Sequence, residues 1–207
     1  MKMTCGYPPF ILPIKFLNRR VVFLQKVSWN IQYLSPPPII RYCKKCGKKA
    51  NHVCSGSFRV NAQRKYLDIW LIYKCSDCDS TWNMTIYSRI NPKSIAPEVL
   101  EGFHDNNEEL VTGYAMDMEV ISKNGVGVGL PKYKVLKPAI DFNNSPIELH
   151  INSHYPSRLK LSTLLREELN LSQKAFEQMI TNGSIRSTSG LDLKKCRVQT
   201  EVILIIE

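Results

Sequence analysis

The sequence predicts an α+β protein: an N-terminal β zinc ribbon, short helices, and a C-terminal module of two helices and a small sheet. Three features point there. Two Cys-x2-Cys pairs flank a segment patterned as a hairpin. A leucine stripe at helical spacing opens the last fifty residues, and a strand-rich tail closes them.

The front of the chain, residues 1–26, holds no period of 2 or 3.6 for long. It reads as an extension of one of two kinds. Either the native start is Val27, at a valine codon read as methionine, or residues 1–26 are a loosely packed tail. No small-residue cleavage site follows "FILPI" before Arg19 and Arg20, which argues against a signal peptide.

Residues 27–93 are expected to form the ribbon. "SPPPII" (35–40) leads in as extended polyproline. "SFRVNAQRKYLDIWLIYKC" reads as two strands joined near "NAQRK", and "STWNMTIYSRI" as a third that Pro92 ends.

Residues 94–157 read as a connector. Pro97 suits a first helical position, with Val99, Leu100 and Phe103 inward. Asn107 suits the cap of a second helix with Leu110, Val111, Tyr114 and Met118 inward. "KNGVGVGLPKY" lacks both phosphate-loop spacings and reads as a turn between a helix and a strand. "YKVLKP" and "PIELHIN" read as a strand pair.

Residues 158–207 form the last module. Leu159, Leu161, Leu164, Leu165 and Leu169 make one helical stripe. Ser172 caps a second helix with Ala175, Phe176, Met179 and Ile180 inward, and Gly183 stops it. "SIRST", "KCRVQ" and "EVILIIE" are candidate strands.

The cysteines carry the sharpest signal. Cys43 and Cys46 are separated from Cys75 and Cys78 by 28 residues, a hairpin's length that returns the chain to its start. Each pair offers two converging thiolates, and Gly47 suits the tight turn after the first. One structural Zn²⁺ held by Cys43, Cys46, Cys75 and Cys78 is the expectation. An iron–sulfur cluster stays open as an alternative. A thioredoxin-type site is disfavoured, because it needs a strand–helix junction at the CxxC. Seven cysteines, four of them paired this way, suit a reducing, cytoplasmic compartment better than a secreted disulfide frame.

Four sulfurs fill a zinc coordination sphere and leave no position for water or substrate, so no catalysis is expected. His52 and Cys54 become spare donors. His104, His150 and His154 are scattered, and "DNNEEL" (105–110) is a solvated helix start. No run of roughly 18 apolar residues marks a membrane span.

The formal net charge of +10 is segregated. Residues 41–93 hold eleven cations and three acids; residues 94–130 hold one cation and seven acids. The basic ribbon suggests a polyanion partner. Its candidate contacts are Lys44, Lys45, Lys48, Lys49, Arg64 and Lys65, with exposed aromatics for stacking. The bland alternative makes these lysines a solvated surface and Trp70 and Trp82 core.

"RYCKKCG", "FRVNA", "LDIWLIYKC" and "TWN" resemble an uncharacterised bacterial family, the domain of unknown function 1062, from about Trp29 to the end of the chain. That resemblance implies no established activity. "RLKLSTLLREELNLSQKAFEQMITNGSI" with its strand-rich tail resembles the RNA-binding domain of ribosomal small-subunit protein four. The likeness implies RNA-facing roles for Arg158, Lys174, Arg186, Lys194, Lys195 and Arg197. The sequence departs from that pattern at "RSTSGLDL", which carries Asp192, and at Gln173. The expected function is therefore a zinc-containing nucleic-acid (RNA) binding protein, with structured RNA or the ribosome as partner. The alternative is a protein-interaction scaffold with a degenerate RNA-binding fold.

Overall fold

The computed structural model describes residues 25–139 and 146–207. Most of the segment 1–26 therefore lies outside the described residues. Gln25 and Lys26 open the first strand, and Lys26 pairs with Glu148 at 3.3 Å.

The protein is mixed α+β, and its described residues form two five-stranded sheets. The first holds β1 (Gln25–Tyr33), β7 (Tyr133–Leu136), β8 (Ile147–Ser153), β9 (Ile185–Ser187) and β10 (Glu201–Ile206), in the order β7-β1-β8-β10-β9. Only β1 and β8 run parallel. Period-2 alternation sends Val27, Trp29 and Ile31 of β1, Ile147, Leu149 and Ile151 of β8, and Val202, Leu204 and Ile206 of β10 into one core. Helices α4 (Leu161–Glu168) and α5 (Gln173–Thr181) cover it with Leu161, Leu164, Leu165 and Phe176. The Ser172 hydroxyl caps α5, accepting from Ala175 N–H at 3.1 Å, and Gly183 leaves the helix at φ +83°.

Two expectations fail in this sheet. "YKVLKP" and "PIELHIN" both become strands but do not pair, because β1 lies between them and hydrogen-bonds to each. "KCRVQ" forms no strand beyond one bridge between Lys160 and Arg197. Asp192 folds that stretch into a turn: its carboxylate accepts from Lys194 N–H at 3.0 Å, and its carbonyl accepts from Lys195 and Cys196.

The second sheet is antiparallel throughout. It contains β2 (Ile39–Cys43), β3 (Lys48–Gln63), β4 (Tyr66–Cys75), β5 (Thr81–Ile90) and β6 (Gly127–Val128), in the order β5-β4-β3-β2-β6. Leu67, Ile69, Leu71 and Tyr73 of β4 face three short helices, α1 (Pro97–His104), α2 (Glu108–Met116) and α3 (Met118–Lys123). As expected, Pro97 opens α1, and Asn107 caps α2, its side chain accepting from Leu110 N–H at 3.0 Å. Met118 is not on α2. Asp117 ends that helix and caps α3, accepting from Glu119 and Val120 N–H at 2.8 and 3.1 Å.

A β-bulge in β3 between Cys54 and Phe58 frees the Phe58 N–H, which donates to the Asn106 side chain at 2.6 Å. The bulge thereby anchors the α1–α2 turn. Phe58 packs edge-on and Tyr114 at a tilt against Phe103, with ring centroids 4.8 and 5.6 Å away.

The glycine-rich loop is an edge of this sheet and no phosphate cradle. A Cβ on Gly129 would stand 2.7 Å from Pro38 Cγ, too close for any side chain. Gly129→Ala is expected to cost about 1–3 kcal/mol by overpacking. Gly113→Ala, on α2 with no heavy atom within 4 Å of the new methyl, should be neutral or stabilise by up to about 1 kcal/mol. Equal melting temperatures for the two variants would show that the close approach to Pro38 is dispensable.

Candidate metal centre

Cys43 ends β2 and Cys75 ends β4, the two strands that flank β3, and each strand end feeds a tight turn. In the first turn Gly47 N–H donates to the Cys43 carbonyl at 2.9 Å, with Gly47 at φ +68°. In the second, Asp79 N–H donates to the Cys75 carbonyl at 2.9 Å, with Asp79 at φ +55°. The two turns share one backbone form, and Asp takes the left-handed position that Gly takes in the other.

The four sulfurs of Cys43, Cys46, Cys75 and Cys78 all lie within 4.8 Å of one another. Cys43 and Cys78 are 3.6 Å apart and Cys46 and Cys75 3.8 Å. A tetrahedron of sulfurs about 2.3 Å from a zinc ion has edges of about 3.8 Å, so this donor set fits that ion. Four thiolates this close cannot all stay ionised without a cation. The thiols divide accordingly. Hydrogen bonding from Ser80 first, and then from the Cys46 backbone, pulls Cys43 down to about 5. Ser80 likewise pulls Cys78 down, while contact with the Cys78 thiol first, and then burial, pushes Cys46 up. A divalent cation relieves this conflict.

Sequence reasoning passed over Ser80. Its hydroxyl sits 3.3 Å from Cys43 Sγ and 3.1 Å from Cys78 Sγ, bridging one thiol from each pair. The signal was available in "CSDCDS", where a hydroxyl follows the last cysteine by two residues. His52 is buried with Nδ1 3.1 Å from the Ala50 carbonyl and stands outside the sulfur group. Cys54 is half-buried and also outside it; burial pushes its thiol up.

The candidate nucleic-acid residues do not converge on one patch. Lys44, Lys45, Lys48 and Lys49 are exposed around the first knuckle, where Lys48 pairs with Asp77 at 2.9 Å. Arg64 and Lys65 turn the hairpin at the opposite end of β4, about 30 Å away at roughly 3.3 Å per residue. There they line a cleft of about 480 Å³ with Tyr66 and Arg89, whose guanidinium lies 5.5 Å from the Tyr66 ring centroid. Arg158 is exposed ahead of α4, and Lys174 is exposed on the first turn of α5. Arg186 is engaged with Glu207 at 2.6 Å, and Lys195 lies 3.7 Å from Asp192. Arg186 and Lys194 share a shallow groove with Asp192, and Arg197 is exposed beside it in sequence. No helix among the described residues is long and apolar enough to cross a membrane.

A family model described as "Protein of unknown function (DUF1062)" matches residues 60–191, from within β3 through β9 and the turn after it. No curated protein and no solved structure matches the chain.

Proposed function

The chain belongs to the DUF1062 family of proteins of unknown function, so its role rests on its own residues, and we propose that it is a zinc-stabilised, non-catalytic nucleic-acid-binding protein of the reducing cytoplasm. Zinc, in this reading, is structural: Cys43, Cys46, Cys75 and Cys78 complete its coordination, and the ion supplies cross-linking and charge neutralisation only.

The supporting observation is where the acidic helices go. Helices α1 to α3 carry the acids of residues 98–119, yet they pack on the face of the second sheet lined by Ile69, Leu71 and Tyr73. Among the described residues, none of these acids pairs with a ribbon cation. Apart from Lys48, which pairs with Asp77, the cations around the knuckle and the hairpin turn are left to solvent and to a polyanion. The C-terminal helices and strands, which resemble the RNA-binding domain of ribosomal small-subunit protein four, add Arg158, Lys174, Lys194 and Arg197.

A second reading, a protein-interaction scaffold, has one observation in its favour. Leu34 and Leu136 are exposed and line a groove of about 550 Å³ with Tyr33, Met116 and Tyr155.

The test is binding of purified zinc-loaded protein to labelled structured RNA and duplex DNA at about 50 and 200 mM salt. Engagement of three to four phosphates predicts a loss of roughly 40- to 150-fold across that range on duplex. Absence of binding at the lower salt would end the nucleic-acid reading and leave the Leu34 groove as the place to look.

A further inference from the structure

Strand β4 is apolar on both faces, and among the described residues only one is covered. The helices take the Ile69, Leu71 and Tyr73 face. Trp70 and Ile72 point the other way, half-buried, and belong to none of the hydrophobic cores. Trp82, by contrast, pairs with Tyr73 on the covered face and packs against that core, 5.9 Å from the Tyr73 ring.

Cross-strand register fixes which cations share this face with Trp70. Arg59 is directly opposite it on β3, Lys74 is opposite Val53, and Lys49 is opposite Tyr42 on β2. All three cations are exposed. Tyr42 is 54% exposed and Val53 49%, unusual values for large apolar side chains on a sheet. Among the described residues, β2, β3 and β4 place no exposed carboxylate on this face. Its one acid on these strands, Asp68, is 7% exposed, and its carboxylate accepts from Arg89 N–H at 2.8 Å and Ser88 Oγ at 3.3 Å.

We propose that this uncovered face of β2, β3 and β4 is a stacking platform for single-stranded nucleic acid, with Tyr42 and Trp70 under the bases and Lys49, Arg59 and Lys74 on the phosphates. The proposal deepens the nucleic-acid reading above and rests on it. Charge complementarity selects a polyanion. The rings on this face, Tyr42 exposed and Trp70 half-buried, select one whose bases are unpaired, because a duplex hides its base faces. From Tyr42 to Trp70 the strands run about 25 Å at roughly 3.3 Å per residue, room for a short single-stranded site.

The experiment uses the full zinc-loaded chain and labelled oligo(U), oligo(dT) and a duplex of equal length at about 50 mM salt. Single strands are expected to bind more tightly than duplex. Tyr42→Ala should weaken single-strand binding by roughly 5- to 150-fold, the range for one stacked base, while Tyr42→Phe keeps it. Tyr42 is exposed, so both variants should retain zinc content and melting temperature. Trp70→Phe should abolish the tryptophan quenching that the oligonucleotide produces. Arg59→Glu with Lys74→Glu should weaken single-strand binding at least tenfold. Nucleic-acid binding that none of these variants alters, or that prefers duplex, would overturn the platform but spare the broader reading, leaving the knuckle and C-terminal cations to carry it. No binding to any of the three probes would overturn both.

Discussion

Replacing Cys75 by Ser is expected to release the metal and unfold the knuckle end of the second sheet. Cys75 is fully buried, and its sulfur is one corner of the four-sulfur group. The reason for a large effect is how little else holds that end. The core there consists of Cys43, Ala50 and Cys75, with Cys46 and Cys78 packed against it. Those side chains bury too little apolar surface to order two turns and three strand ends. A structural zinc site contributes on the order of 10–16 kcal/mol of apparent binding free energy, comparable with the whole stability of a domain. Purified protein should contain one zinc per chain by elemental analysis, and Cys75→Ser should contain almost none. The variant's melting should broaden or fall, and a strong chelator should do the same to the parent. Cys54→Ser removes a thiol outside the group and should keep the metal. Ser80→Ala, which removes the hydroxyl bridging Cys43 and Cys78, should lower zinc affinity by roughly 10- to 100-fold without abolishing it. A Cys75→Ser protein with stoichiometric zinc and an unchanged melting temperature would falsify the assignment. Visible colour and iron in the parent would replace zinc with an iron–sulfur cluster.

What the sequence exposes is what is local. Ligand spacing, the Asn107 and Ser172 caps, Pro97 at a helix start and Gly183 at a helix end are each decided within about five residues, and all are found in place. The four cysteines are nearly as local, because a hairpin of readable length joins the pairs. The first sheet was not legible for the opposite reason. β1 finds its parallel partner β8 more than a hundred residues downstream, and nothing within "QKVSWNIQY" names that partner. Its insertion also separates the two strands expected to pair. "KCRVQ" has strand-forming residues, yet the Asp192 carbonyl takes its Lys195 and Cys196 N–H donors for a turn that the Asp192 side chain braces by accepting from Lys194 N–H. The face of β4 is the most instructive case. Alternation separates Trp70 and Ile72 from Ile69 and Leu71, but both sets are apolar. Only the docking of Phe103 and its neighbours decides which set is covered. Trp70 and Trp82, alike in composition, thus end on opposite faces.

Phe103→Ala is expected to be the largest loss of stability without loss of metal. Phe103 is buried, and rings surround it: Phe58 at 4.8 Å, Tyr114 at 5.6 Å and Tyr87 at 6.1 Å between centroids. Truncating such a phenylalanine costs about 3–5 kcal/mol, from lost transfer energy and the cavity left behind. The cavity has little means of collapsing here. Phe58 is fixed by its N–H to Asn106 at 2.6 Å, and Tyr87 and Tyr114 are tied through their hydroxyls at 3.1 Å. For a chain of this size the loss corresponds to a fall in melting temperature of roughly 6–20 °C. The four-sulfur group should survive, because its small core shares no residue with the one around Phe103. Zinc stoichiometry at low temperature is therefore expected to match the parent's, whereas Cys75→Ser should lose both metal and local order. This contrast separates two supports of one sheet: an ion at the end of its strands and an aromatic cluster against one face. A melting temperature within about 2 °C of the parent would mean that α1 is not what secures that face. The platform beneath Tyr42 and Trp70 would then need another source of rigidity. If zinc disappears along with the stability, the two supports form a single cooperative unit, and the knuckles depend on the helices as much as on the metal.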